Sequence, residues 1–158
     1  MNKLKLIKCS LLIVLCSLFF TQGLFARQGT AAYEIETLLN TNAVTYGQAA
    51  RFILEASDKA VFVTAEDAFQ FAQEKNWLAE NTTVNQTARL DVLSRLLMNA
   101  FELRGGLFYT ITGRAHYAYR ELIYLNIIQG ITEPGMKVSG ELLLFITNRT
   151  LTVQGEIQ

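Results

Sequence analysis

A chain of 158 residues carrying 14 basic and 14 acidic side chains and one histidine is long enough for one domain with a real core, and it has no excess of positive charge with which to grip phosphates. Its two cysteines, Cys9 and Cys16, both stand near the start, so the rest of the chain has neither disulfides nor thiolate metal sites. A single proline, Pro134, and no low-complexity stretch speak against a disordered chain.

The N-terminus reads as an export signal. Lys3, Lys5 and Lys8 precede an apolar run, Leu11 to Phe20, interrupted only by Cys16 and Ser17. Thr21-Gln22-Gly23 ends the run, and Leu24-Phe25-Ala26 offers a small residue just before Arg27. The run is too short to cross a bilayer, which needs about 20 apolar residues. Leu24 is bulky where a small residue is usual, so an uncleaved anchor is the alternative; Val14-Leu15 argue against lipid attachment at Cys16. Cleavage after residue 26 takes three of the 14 lysines and arginines and leaves residues 27–158 with a net charge of −3. That acidity disfavours nucleic acid, and no later stretch is apolar enough to span a membrane. The expected location is the periplasm or cell envelope.

Helices follow in order. Thr45-x-x-Gln48 is a capping box opening the stripe Ala49, Phe52, Ile53, Ala56. Thr64-x-x-Asp67 is a weaker version before Ala65, Ala68, Phe69 and Ala72. Val92, Leu93, Leu96, Leu97, Ala100 and Leu103 form another stripe, with Asp91, Ser94, Arg95, Asn99 and Glu102 facing away, and Gly105-Gly106 as its stop. The aromatic and β-branched stretch 105–113 suits a short strand or a linker packed on the helices. The linker is favoured, because no comparable strand stands nearby.

The helices come in pairs. Ala68–Phe101 lies over Ala118–Leu151 without a gap at an offset of 50 residues, placing Asn76-Trp77-Leu78 on Asn126-Ile127-Ile128, Asp91 on Glu141 and Leu96 on Ile146. A shorter copy precedes them: Ala32-Tyr33-Glu34 resembles Ala118-Tyr119-Arg120. The expected fold is mostly α, with three helix–loop–helix units near 32–57, 65–103 and 115–151 in one domain. No such unit buries its apolar face alone, so the three must pack together.

Asn126-Ile127-Ile128-Gln129-Gly130, Pro134 and Val138-Ser139-Gly140-Glu141 follow the order of the S-layer homology repeat, and the chain resembles that family. Val44-Thr45-Tyr46-Gly47-Gln48 and Thr87-Ala88-Arg89-Leu90-Asp91 resemble its helix opening in the other two units. The resemblance implies a pseudo-threefold helical domain that docks non-covalently on cell-wall polymers in grooves between repeats. It also implies an arginine at each helix opening, where a guanidinium can pair with an anionic sugar substituent through two parallel hydrogen bonds. Only Arg89 keeps it; Tyr46 and Ser139 stand at the matching places, so at most one family-type anion site is expected. The acidic position is kept as Gln48, Asp91 and Glu141, for which helix capping is the plainer reading.

Little else suggests chemistry. His116, in Gly113-Arg114-Ala115-His116-Tyr117, has no identifiable nucleophile or orienting carboxylate, and Glu66-Asp67 are adjacent on a helix and diverge. Phosphate-loop, Gly-x-Ser-x-Gly and His-Glu-x-x-His motifs do not occur. Asn81, Asn85 and Asn148 fit the glycosylation triplet by chance composition. Tyr109, Tyr117, Tyr119 and Tyr124, with Arg114 and Arg120, could line a groove, but core packing is the plainer reading.

The expectation is a non-catalytic cell-envelope binding domain without cofactor or metal. Arg89, Asp91, Trp77, Gln48 and Glu141 are its candidate contacts with a cell-wall polysaccharide or peptidoglycan. The alternative is a periplasmic scaffold that kept the fold, lost polymer binding and holds another envelope protein, which would cover the apolar tail Leu142–Ile146 and Leu151-Thr152-Val153.

Overall fold

A computed structural model describes residues 33–157 as seven helices, with no strand among the described residues. The expected export signal and the cut after residue 26 lie outside the described residues, as does Ala32 at the start of the first unit. Residues 33–39 are helical (α1). They are followed by α2 (Tyr46–Ala56), α3 (Ala65–Glu74), α4 (Leu90–Ala100), α5 (Leu107–Thr112), α6 (Ala115–Tyr124) and α7 (Gly140–Ile157). The mostly helical expectation holds. From Leu38 onward the chain is one compact unit.

The apolar stripes explain the packing. α2 lies against α3, α4 lies against α6, and α2 also meets α4 and α7. From α2, Ala49, Ala50, Ile53 and Leu54 are fully buried; from α4, Leu90, Leu93, Leu96, Leu97 and Ala100 are. Helix α4 has neighbours on two sides, so its buried face is wider than one stripe. Ser94, expected to face away, is fully buried and donates to the Leu90 carbonyl at 2.7 Å. Asp91, also expected outside, is only 8 % exposed.

Thr45 and Gln48 form the expected capping box, and Thr64 accepts from the Asp67 N–H at 3.1 Å. The helix ends differ from expectation. Asp58, Asn76, Glu102 and Asn126 take the left-handed conformation just past α2, α3, α4 and α6. In each case the next residue's N–H reaches back to the helix, as from Lys59 to Leu54, Trp77 to Ala72, Leu103 to Met98 and Ile127 to Leu122. This is the Schellman arrangement without its usual glycine. Glu102 therefore ends α4, ahead of the Gly105-Gly106 pair expected to do so.

Segment 105–113 is neither strand nor plain linker. Gly106 opens α5, and Gly113, at φ +58°, closes it with its N–H on the Tyr109 carbonyl at 2.7 Å. Two glycines suited to helix ends outweigh the weak helix propensity of the residues between them.

A closed ring of backbone hydrogen bonds ties the middle of the chain together. Ala88 N–H donates to Val44 at 2.8 Å, Val44 to Val138 at 2.9 Å, and Val138 to Ala88 at 3.2 Å. All three residues are fully buried.

Candidate functional site

The ring residues stand just before α2, α4 and α7, and the first turn of each helix is docked into a loop. The first two N–H groups of α2, from Tyr46 and Gly47, donate to Gln86 and Val84 at 3.0 Å each. Those of α4, from Leu90 and Asp91, donate to Met136 at 3.0 Å and Pro134 at 2.8 Å. The first of α7, from Gly140, donates to Thr41 at 2.8 Å. Short antiparallel bridges pair Thr45 with Thr87 and Arg89 with Lys137. Helix N-termini commonly hold anions through these N–H groups. Here the loops take them.

The third donor is met by a side chain. Thr45 accepts from Gln48 N–H at 3.3 Å, Ser139 from Leu142 N–H at 3.2 Å, and Asp91 from Val92 N–H at 2.9 Å. Thr45, Arg89 and Ser139 thus share the position that precedes the helix. This alters the expected match in the first unit, where Thr45 rather than Tyr46 stands opposite Arg89. Gln48 lies one place further into its helix than Asp91 and Glu141 do.

Of these three helix starts, among the described residues, that of α4 holds an ion pair. Arg89 Nε and Nη2 reach the two Asp91 carboxylate oxygens at 3.2 and 2.9 Å. The carboxylate side is buried, and the arginine side chain is 52 % exposed. Arg89 Nη2 also lies close to Gly135, where an added Cβ would stand 3.8 Å away. Beneath the pair is Tyr46, whose hydroxyl accepts from the Arg89 backbone N–H at 3.4 Å. Burial pushes the Tyr46 hydroxyl above its ordinary pKa; Asp91 adds to the rise, and the Arg89 N–H and guanidinium oppose it. Lys137, bridged to Arg89, is exposed. In an antiparallel bridge opposed side chains project to one face, so Lys137 shares a face with Arg89.

Of the five predicted contacts, the structure brings Arg89 and Asp91 together. Gln48 is exposed and its amide oxygen accepts from Thr45 N–H at 3.0 Å, completing the capping box. Glu141 is exposed in the first turn of α7. Trp77 is half-buried and meets Phe71 edge-on at 6.0 Å, in a cluster with Phe62. Tyr46 and Lys137 are additions that sequence reading missed. Their roles depend on a bridge between residues far apart in the chain, although the adjacent Lys137-Val138 of the third helix opening was a weak pointer.

The tyrosines do not share one groove. Tyr119 is buried with its hydroxyl on Thr132, Tyr109 meets Asn99 at 3.1 Å, and Tyr124 is exposed. Tyr117 stacks on Phe108 at 5.6 Å, and the exposed His116 meets Tyr117 edge-on. Among the described residues no cluster of histidine, cysteine, aspartate or glutamate could hold a metal, and no helix is long and apolar enough to cross a membrane. The chain matches no protein-family model, no curated protein and no solved structure.

Proposed function

We propose that this chain is a non-catalytic domain of the cell envelope that docks on a wall polymer at the α4 start, with Arg89 and Lys137 as its cationic contacts. In this reading the three helix–loop–helix units stand around a pseudo-threefold axis, as the resemblance to S-layer homology domains implies. The ring through Val44, Ala88 and Val138 supports that arrangement, because each residue holds the same place before its helix. So does the shared insertion of first-turn N–H groups into a loop.

The observation that carries the polymer reading is the half-exposed guanidinium held by Asp91. A fork fixed by two hydrogen bonds keeps its orientation at low entropic cost, and its outer edge is free to meet a carboxylate or phosphate on a polysaccharide. A single such contact gives modest affinity, with a strong dependence on salt.

Incubating the purified protein with wall sacculi at low salt tests this. The protein is expected to pellet with the sacculi, and Arg89→Ala or Lys137→Ala to weaken retention roughly tenfold, the effect of losing one charged hydrogen bond. Protein that stays in the supernatant, or Arg89→Ala protein that pellets as before, would sink the reading.

The scaffold alternative rests on a specific observation: two of the three helix starts lack the arginine, with Thr45 and Ser139 in its place. The apolar tail argues for it only in part, since Leu143 and Ile146 belong to this chain's own core while Phe145 and Leu151 are exposed. Crosslinking in cells separates the readings: a scaffold yields a defined protein adduct, and a polymer binder does not.

A further inference from the structure

Residues 103–120 contain no acidic side chain but hold Arg104, Arg114 and Arg120, and α5 lies inside that stretch. Leu107, Phe108 and Ile111 of α5 are 71 %, 65 % and 72 % exposed. At about 100° per residue these three fall within one third of the helix circumference. Tyr109 points the opposite way, its hydroxyl accepting from Asn99 and its ring against Gly105. The apolar face is therefore the outer face of a helix already fastened on its inner side.

Two basic residues of α6 stand beside this face. Arg104, two residues before the Gly106 cap, instead lines the cleft on the Tyr109 side with Asn99, Thr110 and Gly113. Phe108 stacks on Tyr117 of α6, and Arg114 and Arg120 lie three residues to either side of Tyr117, on its side of the helix. All three arginines are exposed, and none has an ionic or side-chain hydrogen-bond partner among the described residues. Of the two acids that bound this stretch, Glu102 pairs with Lys59, and Glu121 is half-buried with its carboxylate against Gly106 at the α5 start.

We propose that α5 docks on a bilayer surface rich in anionic phospholipid. Leu107, Phe108 and Ile111 enter the boundary between headgroups and acyl chains, while Arg114 and Arg120 meet the headgroup phosphates. Apolar side chains on one helix face, rimmed by cations, are what an interfacial contact requires. A second copy of the chain fits poorly. A twofold interface sets the same patch against itself and would bring arginine to arginine, and three side chains fall well short of the roughly 800 Å² each partner of a stable dimer buries. The contact is independent of what Arg89 binds.

Single-tryptophan versions of the full chain test this, with Trp77→Phe as background and the reporter placed by Phe108→Trp or, as control, by Val63→Trp, at a site 87 % exposed. Vesicles with brominated acyl chains quench a tryptophan that enters them. The expected result is quenching at 108 and not at 63 in phosphatidylglycerol vesicles, and at neither in phosphatidylcholine. Arg114→Gln and Arg120→Gln should each weaken the quenching-derived affinity roughly fivefold. Anchoring by the N-terminal segment would bring the protein to both vesicle types and leave 108 no different from 63. That outcome, equal quenching of 108 in neutral vesicles, or a protein crosslink at 108 in envelopes without any quenching would overturn the proposal. If Phe108→Trp disturbs folding, Leu107→Trp reports from the same face with the same expected results.

Discussion

The starts of α2 and α4 make the same backbone connections with different side chains. Both send their first two N–H groups into a following loop, at Gln86 and Val84 for α2 and at Met136 and Pro134 for α4. At α2 the remaining donor is met by Thr45, and Gln48 returns the bond, so the start is neutral and closed. At α4 the residue before the helix is Arg89, which makes no capping bond and instead pairs with Asp91. The backbone alone thus supplies the joint. One such joint has been left free to carry a charge, at the cost of a cap.

The strongest test of this comparison is the third joint. A Cβ at Gly140 would stand 1.7 Å from the Leu38 carbonyl oxygen, an overlap with backbone that cannot swing aside. Gly140→Ala is therefore expected to destabilise by about 3 kcal/mol, read from the urea midpoint. A cost below about 1 kcal/mol would show that the α7 start is not docked as tightly as the other two.

Next in size is the contrast between the caps. Thr45→Ala should cost about 1 kcal/mol, the usual worth of an N-cap side chain. Arg89→Ala should cost only about 0.5 kcal/mol, because Asp91 keeps the Val92 N–H and the favourable field of the helix start. If Arg89→Ala proves the more damaging, the α4 pair is structural rather than a contact site.

The smallest effect concerns alkali. Tyr46 and Tyr109 both have hydroxyl pKa values raised above 10.0, chiefly by burial, so the folded chain holds these protons to higher pH than the unfolded chain does. Stability should be unaffected by them below pH 10 and fall as the pH rises through the folded values. Tyr46→Phe should flatten that decline in thermal melts between pH 9 and 11. An unchanged slope would remove Tyr46 from the account.

Much of this was legible from residue spacing, because stripes and caps are local. The Thr45–Gln48 box and the apolar faces of α2 and α3 follow from positions a few residues apart. Asp91 and Ser94 were misjudged because one helix read alone has one inner face, whereas α4 is enclosed by both α2 and α6. Helix α5 escaped notice because its residues favour strands and only its bounding glycines favour a helix. The Arg89–Lys137 pairing lay beyond reach for another reason: it is created by tertiary structure between residues 48 positions apart.

The ring through Val44, Ala88 and Val138 has a consequence for how the molecule assembles. Only the Ala88–Val44 bond can form before residue 138 is in place; the other two both require Val138. A chain still emerging N-terminus first has one side of a triangle, with its buried amides unsatisfied until α7 arrives. Contacts of such long sequence separation make folding slow and all-or-none, so a truncation before residue 138 should leave an open, protease-sensitive chain rather than a smaller domain.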